Sequence, residues 1–233
     1  MRTVIVIPTY NEYENLKPLI EQILALDFAD LRIVIIDDNS PDGTGEVAQT
    51  LARTYSQIKV IHRQQRRGLA SAYIAGFKYL LKEDVDYIVQ MDADFSHHPK
   101  YILLFLNKIK ECDMVIGSRY LSGSKQVKWA SWRLAASYLA SKYVRLCTGM
   151  PISDPLGGFK CFRKTILANI GLDRIISNGF VFQAEMTYRT YREGYRLTEI
   201  PIVFYPRRSG LSKISNWIAV EALIKLPFFR LIS

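Results

Sequence analysis

Tyr87-Ile-Val-Gln-Met-Asp-Ala-Asp-Phe-Ser-His-His-Pro99 carries an apolar run into a pair of acids and then into a proline suited to the first turn of a helix. The run from Tyr87 to Met91 reads as a strand buried on both faces, and Pro99 to Lys110 has helical length and periodicity. The stretch is therefore one strand-to-helix unit, and the same unit recurs along the first half of the chain. Val4 to Ile7, Ile33 to Ile36, Ile58 to Ile61, Tyr87 to Val89 and Met114 to Ile116 are the strand candidates, with helical patterns over Tyr13 to Leu26, Gly43 to Tyr55 and Leu69 to Leu81 between them. Such alternation predicts an α/β fold, a Rossmann-like, mostly parallel sheet flanked by helices on both faces. Ligands then belong at the C-terminal strand ends, above all where the strand order reverses.

Those strand ends carry the chemistry. Asp92, Ala93 and Asp94 close the fourth strand, and two carboxylates one residue apart repel each other unless positive charge is bound. They form a hard-oxygen site for a divalent cation held against a diphosphate, the plainer alternative being a solvated turn. The first strand ends in Pro8-Thr-Tyr-Asn-Glu12, which sets the Tyr10 ring and the Glu12 carboxylate at a strand-to-helix turn. The second ends in Asp37-Asp38-Asn39, before the turn and cap residues Ser40-Pro-Asp-Gly43. Acids at such an edge accept hydrogen bonds from ribose hydroxyls or a base, and Asp38 is the preferred candidate. Neither G-x-G-x-x-G nor a Walker motif follows the first strand, so a bound nucleotide would have its phosphates neutralised by a metal rather than a glycine loop.

With 233 residues, 49% hydrophobic and a mean hydropathy of +0.02, the chain suits a single compact domain, 1–233. Its motifs divide it into 1–118, 119–213 and 214–233. The Thr3 to Ile7 run is too short for the apolar region of a signal peptide, so secretion by that route is not expected. Cys112, Cys147 and Cys161 have no metal or redox spacing and are expected as packed thiols. The formal charge is +9 with a pI near 9.4, and 114–153 contains no acid while holding Arg119, Lys125, Lys128, Arg133, Lys142 and Arg145. Such a field suits phosphates, nucleic acid or an anionic membrane surface.

Taken in order, Pro8 to Glu12, Asp37 to Gly43, Gly68-Leu-Ala-Ser-Ala72, Met91 to Asp94 with His98-Pro99, Gly117-Ser-Arg-Tyr120, Asp154-Pro155 with Gly158-Phe159, and Arg207 to Lys213 span nearly the whole chain. In this order they resemble the polyprenyl-phosphate glycosyltransferases of the dolichol-phosphate mannose synthase type, inverting family-2 enzymes of the GT-A fold. The resemblance implies GDP-mannose as donor, with Pro8, Tyr10, Glu12, Ile36 and Asp38 around the guanosine. It implies Mg2+ or Mn2+ on Asp92 and Asp94 with Ser96 as the third metal candidate, and Arg119, Arg133 and Ser137 on the phosphate of a polyprenyl phosphate, which makes 1–118 the nucleotide-sugar half and 119–213 the acceptor half with its mobile loop. Arg207 and Lys213 would close a loop over the donor phosphates. Asp94, Arg119 and Arg133 are the expected catalytic residues. Ser96 stands where some relatives carry a metal-binding Gln, and Gly157 where the family usually has serine.

His97 and His98 read as loop or capping residues, Glu185 as a solvent-facing helix residue, and Phe180, Phe182, Tyr188 and Tyr191 as core. Ile214 to Ile232 interleaves apolar residues with Lys225 and Arg230 and is broken by Pro227; it reads as an interfacial amphipathic helix, and the Trp129 to Leu146 helix as a second membrane face. The expected location is the cytoplasm, peripherally on a membrane, with an anchoring partner subunit left open. UDP-glucose or another sugar nucleotide is the alternative donor. A basic nucleic-acid-binding module is the alternative of another class, disfavoured because it leaves the strand-end acids unexplained.

Overall fold

The computed structural model describes residues 1–26, 28–128, 130–206 and 225–231. In chain order the elements are β1 (Thr3–Thr9), α1 (Tyr13–Leu24), β2 (Leu31–Asp37), α2 (Thr44–Thr54), β3 (Ile58–His62), α3 (Leu69–Leu81), β4 (Tyr87–Gln90), α4 (Tyr101–Lys108) and β5 (Met114–Ser118). The second half adds β6 (Lys125–Gln126), α5 (Ser131–Thr148), β7 (Lys160–Arg163), α6 (Lys164–Asn169), α7 (Val181–Arg192), β8 (Leu197–Pro201) and β9 (Val203–Phe204). Seven strands form one sheet in the order β3-β2-β1-β4-β7-β5-β8, and β6 pairs with β9 in a short ribbon. Every pairing in the main sheet is parallel except those of β7, which runs antiparallel between β4 and β5. The order reverses between β1 and β4, so the ends of these two strands open the crevice where an α/β sheet binds ligands.

Alternation along the central strands builds a core on each face. Val4, Val6, Val34, Ile36 and Ile88 pack with Tyr73 and Phe77 of α3 and Phe182 of α7. Ile5, Ile7, Ile33, Ile35 and Val89 pack with Leu16, Leu19 and Ile20 of α1 and Phe105 of α4. Each such aliphatic side chain contributes about 1.5–3 kcal/mol by leaving water, enough to fix which face every strand residue takes. α3 lies so close to the sheet that a Cβ at Gly76 would meet Ile36 at 2.8 Å and Val6 at 2.9 Å.

The five expected strands and the four helices between them are present, α3 with the expected ends and the others with shifted ones, and the helix expected over Trp129 to Leu146 runs from Ser131 to Thr148. Gly43 takes φ +90°, which keeps it out of α2 and starts that helix at Thr44. The rhythm of the sequence does not announce β7, a short strand with a charged residue at each end. At the C-terminus, most of 214–233 lies outside the described residues. Of that segment's described residues, Leu226 and Phe229 are buried, and Phe229 stacks on Tyr188 with ring centres 5.8 Å apart. α5 and α7 take up this stretch, so these two are core residues. No described helix is long and apolar enough to cross a membrane.

Candidate active site

β4 delivers Asp92 and Asp94 to the sheet edge, and buried neighbours set both. The Tyr73 hydroxyl, wholly inside the protein on α3, donates to Asp92 Oδ1 at 2.7 Å. Burial, then the charges of Asp92 and Asp94, raise the Tyr73 pKa well above its ordinary value, so it stays a protonated donor. The Asp92 N–H donates to His97 Nδ1 at 3.1 Å, and the His97 ring stacks on Phe159 at 4.8 Å. Burial lowers the His97 pKa against the pull of the two acids. Asp94 folds back to accept the Ser96 N–H at 3.0 Å, across a turn in which Phe95 has φ +64°. Ser96 is itself buried.

Among the described residues no three or more His, Cys, Asp or Glu side chains gather around one metal position. Two strand-end carboxylates, one of them held by a neutral phenol, still fit a hard divalent ion such as Mg2+ or Mn2+, whose remaining oxygens would come from other molecules. His97 is committed through Nδ1 to the Asp92 backbone and stays a turn residue. His98 accepts the Lys100 N–H at 3.2 Å and caps the approach to α4.

The remaining donor candidates sit at the ends of β1 and β2. Pro8 is buried within β1, and Arg66 lies over the Tyr10 ring, 4.0 Å from its centre. Glu12 is buried, accepts from Asn15 Nδ2 at 2.7 Å, and donates its own N–H to Thr44 Oγ1 at 2.9 Å. The Ile36 side chain is fully buried against Val6 and Gly76, so it presents no open surface to a ligand. Asp38 occupies the expected edge, but its carboxylate is engaged: it accepts from the N–H groups of Gly68 at 2.7 Å and Arg67 at 3.0 Å and pairs with Arg63 at 2.7 Å. Asp38 thereby pins the turn that launches α3.

On the far side of the crevice, Arg119 follows β5. Its Nε and Nη2 each meet a carboxylate oxygen of fully buried Asp154 at 2.7 Å, and its N–H reaches the same group at 3.0 Å. Burial opposes the charge on Arg119, but Asp154 prevails and its pKa is raised, so the guanidinium remains a cation. Asp154 is seated in turn by Glu199 of β8, which accepts the N–H groups of Ser153 at 2.7 Å and Asp154 at 2.8 Å. Tyr120 donates to Ser137 Oγ at 2.6 Å, joining the Arg119 loop to α5. Arg133 lies four residues before Ser137 on the same face of that helix and is exposed. Arg207 and Lys213 lie outside the described residues. A Cβ at Gly157 would meet the Gly117 carbonyl at 3.1 Å and the Asp154 carbonyl at 3.3 Å, so the backbone itself disfavours a serine there.

Asp92, His97, Arg119, Gly158, Gln183 and Phe204 all line one cleft. The sequence does not disclose Tyr73, Asp154, Glu199 or Gln183 as site residues; the invariant hint is only that polar side chains fall at positions whose neighbours are core. Glu185 corrects its expected exposure. It is buried, accepts from the N–H groups of Ile176 and Ser177, and pairs with Arg189 one turn along at 2.8 Å. Phe182 and Tyr188 are core as expected, whereas Tyr191 is exposed.

The family model described as "Glycosyl transferase family 2" matches residues 4–171. An undecaprenyl-phosphate mannosyltransferase of Micrococcus luteus is 41% identical over 226 residues, covering 97% of this chain and 93% of that protein. A polyprenol monophosphomannose synthase of Mycolicibacterium smegmatis is 38% identical over 227 residues, covering 97% and 85%. Among solved structures, a mannosyltransferase from Pyrobaculum calidifontis in complex with GDP-Man and Mn2+ superposes with a TM-score of 0.66 at 18% identity, covering 99% of this chain and 68% of that one. Glucosyl-3-phosphoglycerate synthase from Mycobacterium tuberculosis, in complex with Mn2+, UDP-glucose and phosphoglyceric acid, gives 0.68 at 17% identity, covering 98% and 79%. At these identities the two structures speak for the fold.

Proposed function

The chain belongs to glycosyl transferase family 2 and, within it, to the polyprenyl-phosphate mannosyltransferases, and from that premise we propose that it moves mannose from GDP-mannose to a polyprenyl phosphate with inversion, giving a polyprenyl β-mannosyl phosphate and GDP. The observation that carries this reading is the cleft lined by both Asp92 and Arg119, a strand-end carboxylate across from a fixed guanidinium. Two mutually repelling anions have to meet for this reaction: Arg119 offers positive charge to one, and a cation held by Asp92 and Asp94 would offer it to the other.

The nucleophile needs no base. A phosphate monoester has a second pKa of about 6, so its oxygen is already ionised near neutral pH. That oxygen bonds to the sugar C1 as the bond from C1 to the diphosphate oxygen breaks, its electron pair leaving with GDP, and attack from the opposite face turns the α-linked donor into a β-linked product. Arg119, its plane set by Asp154, and Arg133 on α5 hold the attacking phosphate, with Ser137 beside them. Asp92 and Asp94 hold the donor end, and Mg2+ or Mn2+ bound there would supply charge to the departing diphosphate. Arg207 and Lys213 are proposed to add to the same stabilisation.

The acceptor's lipid implies a membrane surface. α5 exposes Trp132 at 74%, Leu139 at 60% and Leu146 at 78%, seven residues apart, with Arg133, Lys142 and Arg145 along the same helix. An apolar stripe among cations suits the boundary of an anionic bilayer. Peripheral attachment through α5, on the cytoplasmic face, is part of the proposal.

The test is incubation with Mn2+, a short polyprenyl phosphate and radiolabelled GDP-mannose or UDP-glucose in parallel. Label is expected in the lipid fraction from GDP-mannose alone. Transfer from UDP-glucose and none from GDP-mannose would overturn the donor assignment.

A further inference from the structure

A buried polar chain runs beneath the cleft. Gln90 on β4 and Lys160 on β7 are direct cross-strand partners, both buried, and both meet Gln183 of α7. Gln90 Nε2 donates to the Gly158 carbonyl at 2.9 Å and to Gln183 Oε1 at 2.6 Å. Lys160 Nζ donates to the Gln183 carbonyl at 2.7 Å and to Gln183 Oε1 at 3.0 Å.

Donor and acceptor counting fixes both amides. The Gly158 carbonyl only accepts, so Gln90 must turn its NH2 toward it and therefore toward Gln183. Lys160 uses two N–H bonds here, which a neutral amine also possesses, so the arrangement survives loss of its third proton. Gln183 must then present its oxygen inward and its NH2 outward. Nε2 lies 3.7 Å from where a Cβ on Gly158 would stand, a point 3.5 Å from Asp92 Oδ2 and 3.3 Å from His97 Cε1. Gln183 and Gly158 both line the cleft between Asp92 and Arg119. Gly158 puts no side chain there, where a Cβ would crowd the His97 ring and stand against the Gln183 amide.

We propose that Gln183 is a specificity-determining residue, whose amide N–H donates to a hydroxyl of the donor's hexose, with Lys160 and Gln90 as the positioning residues that keep the amide facing the cleft. Between a diphosphate held at Asp92 and an acceptor held at Arg119, the group that must occupy the cleft is the sugar being moved. This inference rests on the transfer reading above and assigns the sugar contact within it.

The experiment compares Gln183→Met and Gln183→Glu with the unaltered protein, using GDP-mannose and its monodeoxy analogues, and measures kcat/KM together with GDP affinity. Gln183→Met removes the donor at similar volume. Gln183→Glu keeps an oxygen for Lys160 and Gln90, replaces the cleft-facing NH2 with a carboxylate oxygen whose charge Lys160 can pair, and decides the matter should the methionine variant not fold. Expected is a loss of about 10-fold to 100-fold in kcat/KM for GDP-mannose, GDP affinity held within about twofold, and, for one deoxy donor, a penalty present in the unaltered protein and abolished in the variant. Lys160→Met should soften the same penalty without moving GDP affinity. If every deoxy penalty persists in the Gln183 variants, the sugar contact is refuted while the transfer reading stands. If the unaltered protein moves no mannose at all, it is the transfer reading that fails.

Discussion

The acids and arginines of the crevice are held by residues that never need to touch a substrate. Tyr73 donates to Asp92 from a fully buried position, and Asp154 takes both forks of Arg119. Tyr73→Phe should therefore weaken Mn2+ binding about 10-fold to 100-fold at unchanged fold, measured by calorimetric titration in the presence of GDP; unchanged affinity would remove Tyr73 from that role. Arg119→Lys keeps the charge but cannot span Asp154 with two bonds, and it should lower acceptor kcat/KM far more than GDP affinity. Asp38 calls for a different expectation, because its carboxylate already serves Arg63 and the N–H groups of Arg67 and Gly68. Asp38→Ala should cost about 3–5 kcal/mol in urea unfolding, since it strands a largely buried guanidinium. The sequence makes Asp92, Asp94 and Arg119 legible because carboxylates and arginines at strand ends are conspicuous. It cannot show that Asp38 is spent on the chain itself, or that Ile36 faces the core, because both depend on where α3 packs.

At the level of elements, most of the sheet follows from the short β-branched runs, whose apolar residues must be covered on both faces. β7 escapes that logic. Lys160 at its start is a buried amine on one face, satisfied by Gln183, and only its pairing between β4 and β5 makes Lys160-Cys-Phe-Arg163 a strand. Burial lowers the Lys160 pKa to about 7 in the folded protein, from an ordinary value of 10.5, against the opposing pull of Asp154 and Asp92. Between those values the unfolded chain binds the proton more readily, so stability linked to this group is lowest below pH 7 and grows as pH rises toward 10. Unfolding curves at pH 6.5 and pH 9 should show the unaltered protein gaining on Lys160→Met at the higher pH, and parallel behaviour would contradict the direction. α5 carries its own prediction. Trp132→Ala, Leu139→Ala and Leu146→Ala together remove exposed side chains, so they should reduce partition onto anionic vesicles by at least about tenfold while leaving thermal stability nearly intact.

Across the whole molecule, the sheet places opposite chemistry on either side of one crevice. Acids from β4 stand where the strand order reverses, and Arg119, just after β5, lines the same cleft as Asp92 from within a segment, 114–153, that contains no acid. On the proposed reading, the net charge of +9 would serve to gather two phosphate-bearing reactants. The α/β class and the strands β1 to β5 were legible from alternation; the closeness of Asp92 and Arg119 was not, because it depends on β7 being inserted between β4 and β5 and on Glu199 of β8 seating Asp154. Anomalous diffraction from crystals grown with Mn2+ and GDP-mannose addresses that juxtaposition directly. A single manganese peak bridging Asp92, Asp94 and the diphosphate, with the mannose turned toward Arg119, is the expected result. Manganese bound away from those two carboxylates, or a sugar pointing out of the crevice, would contradict it.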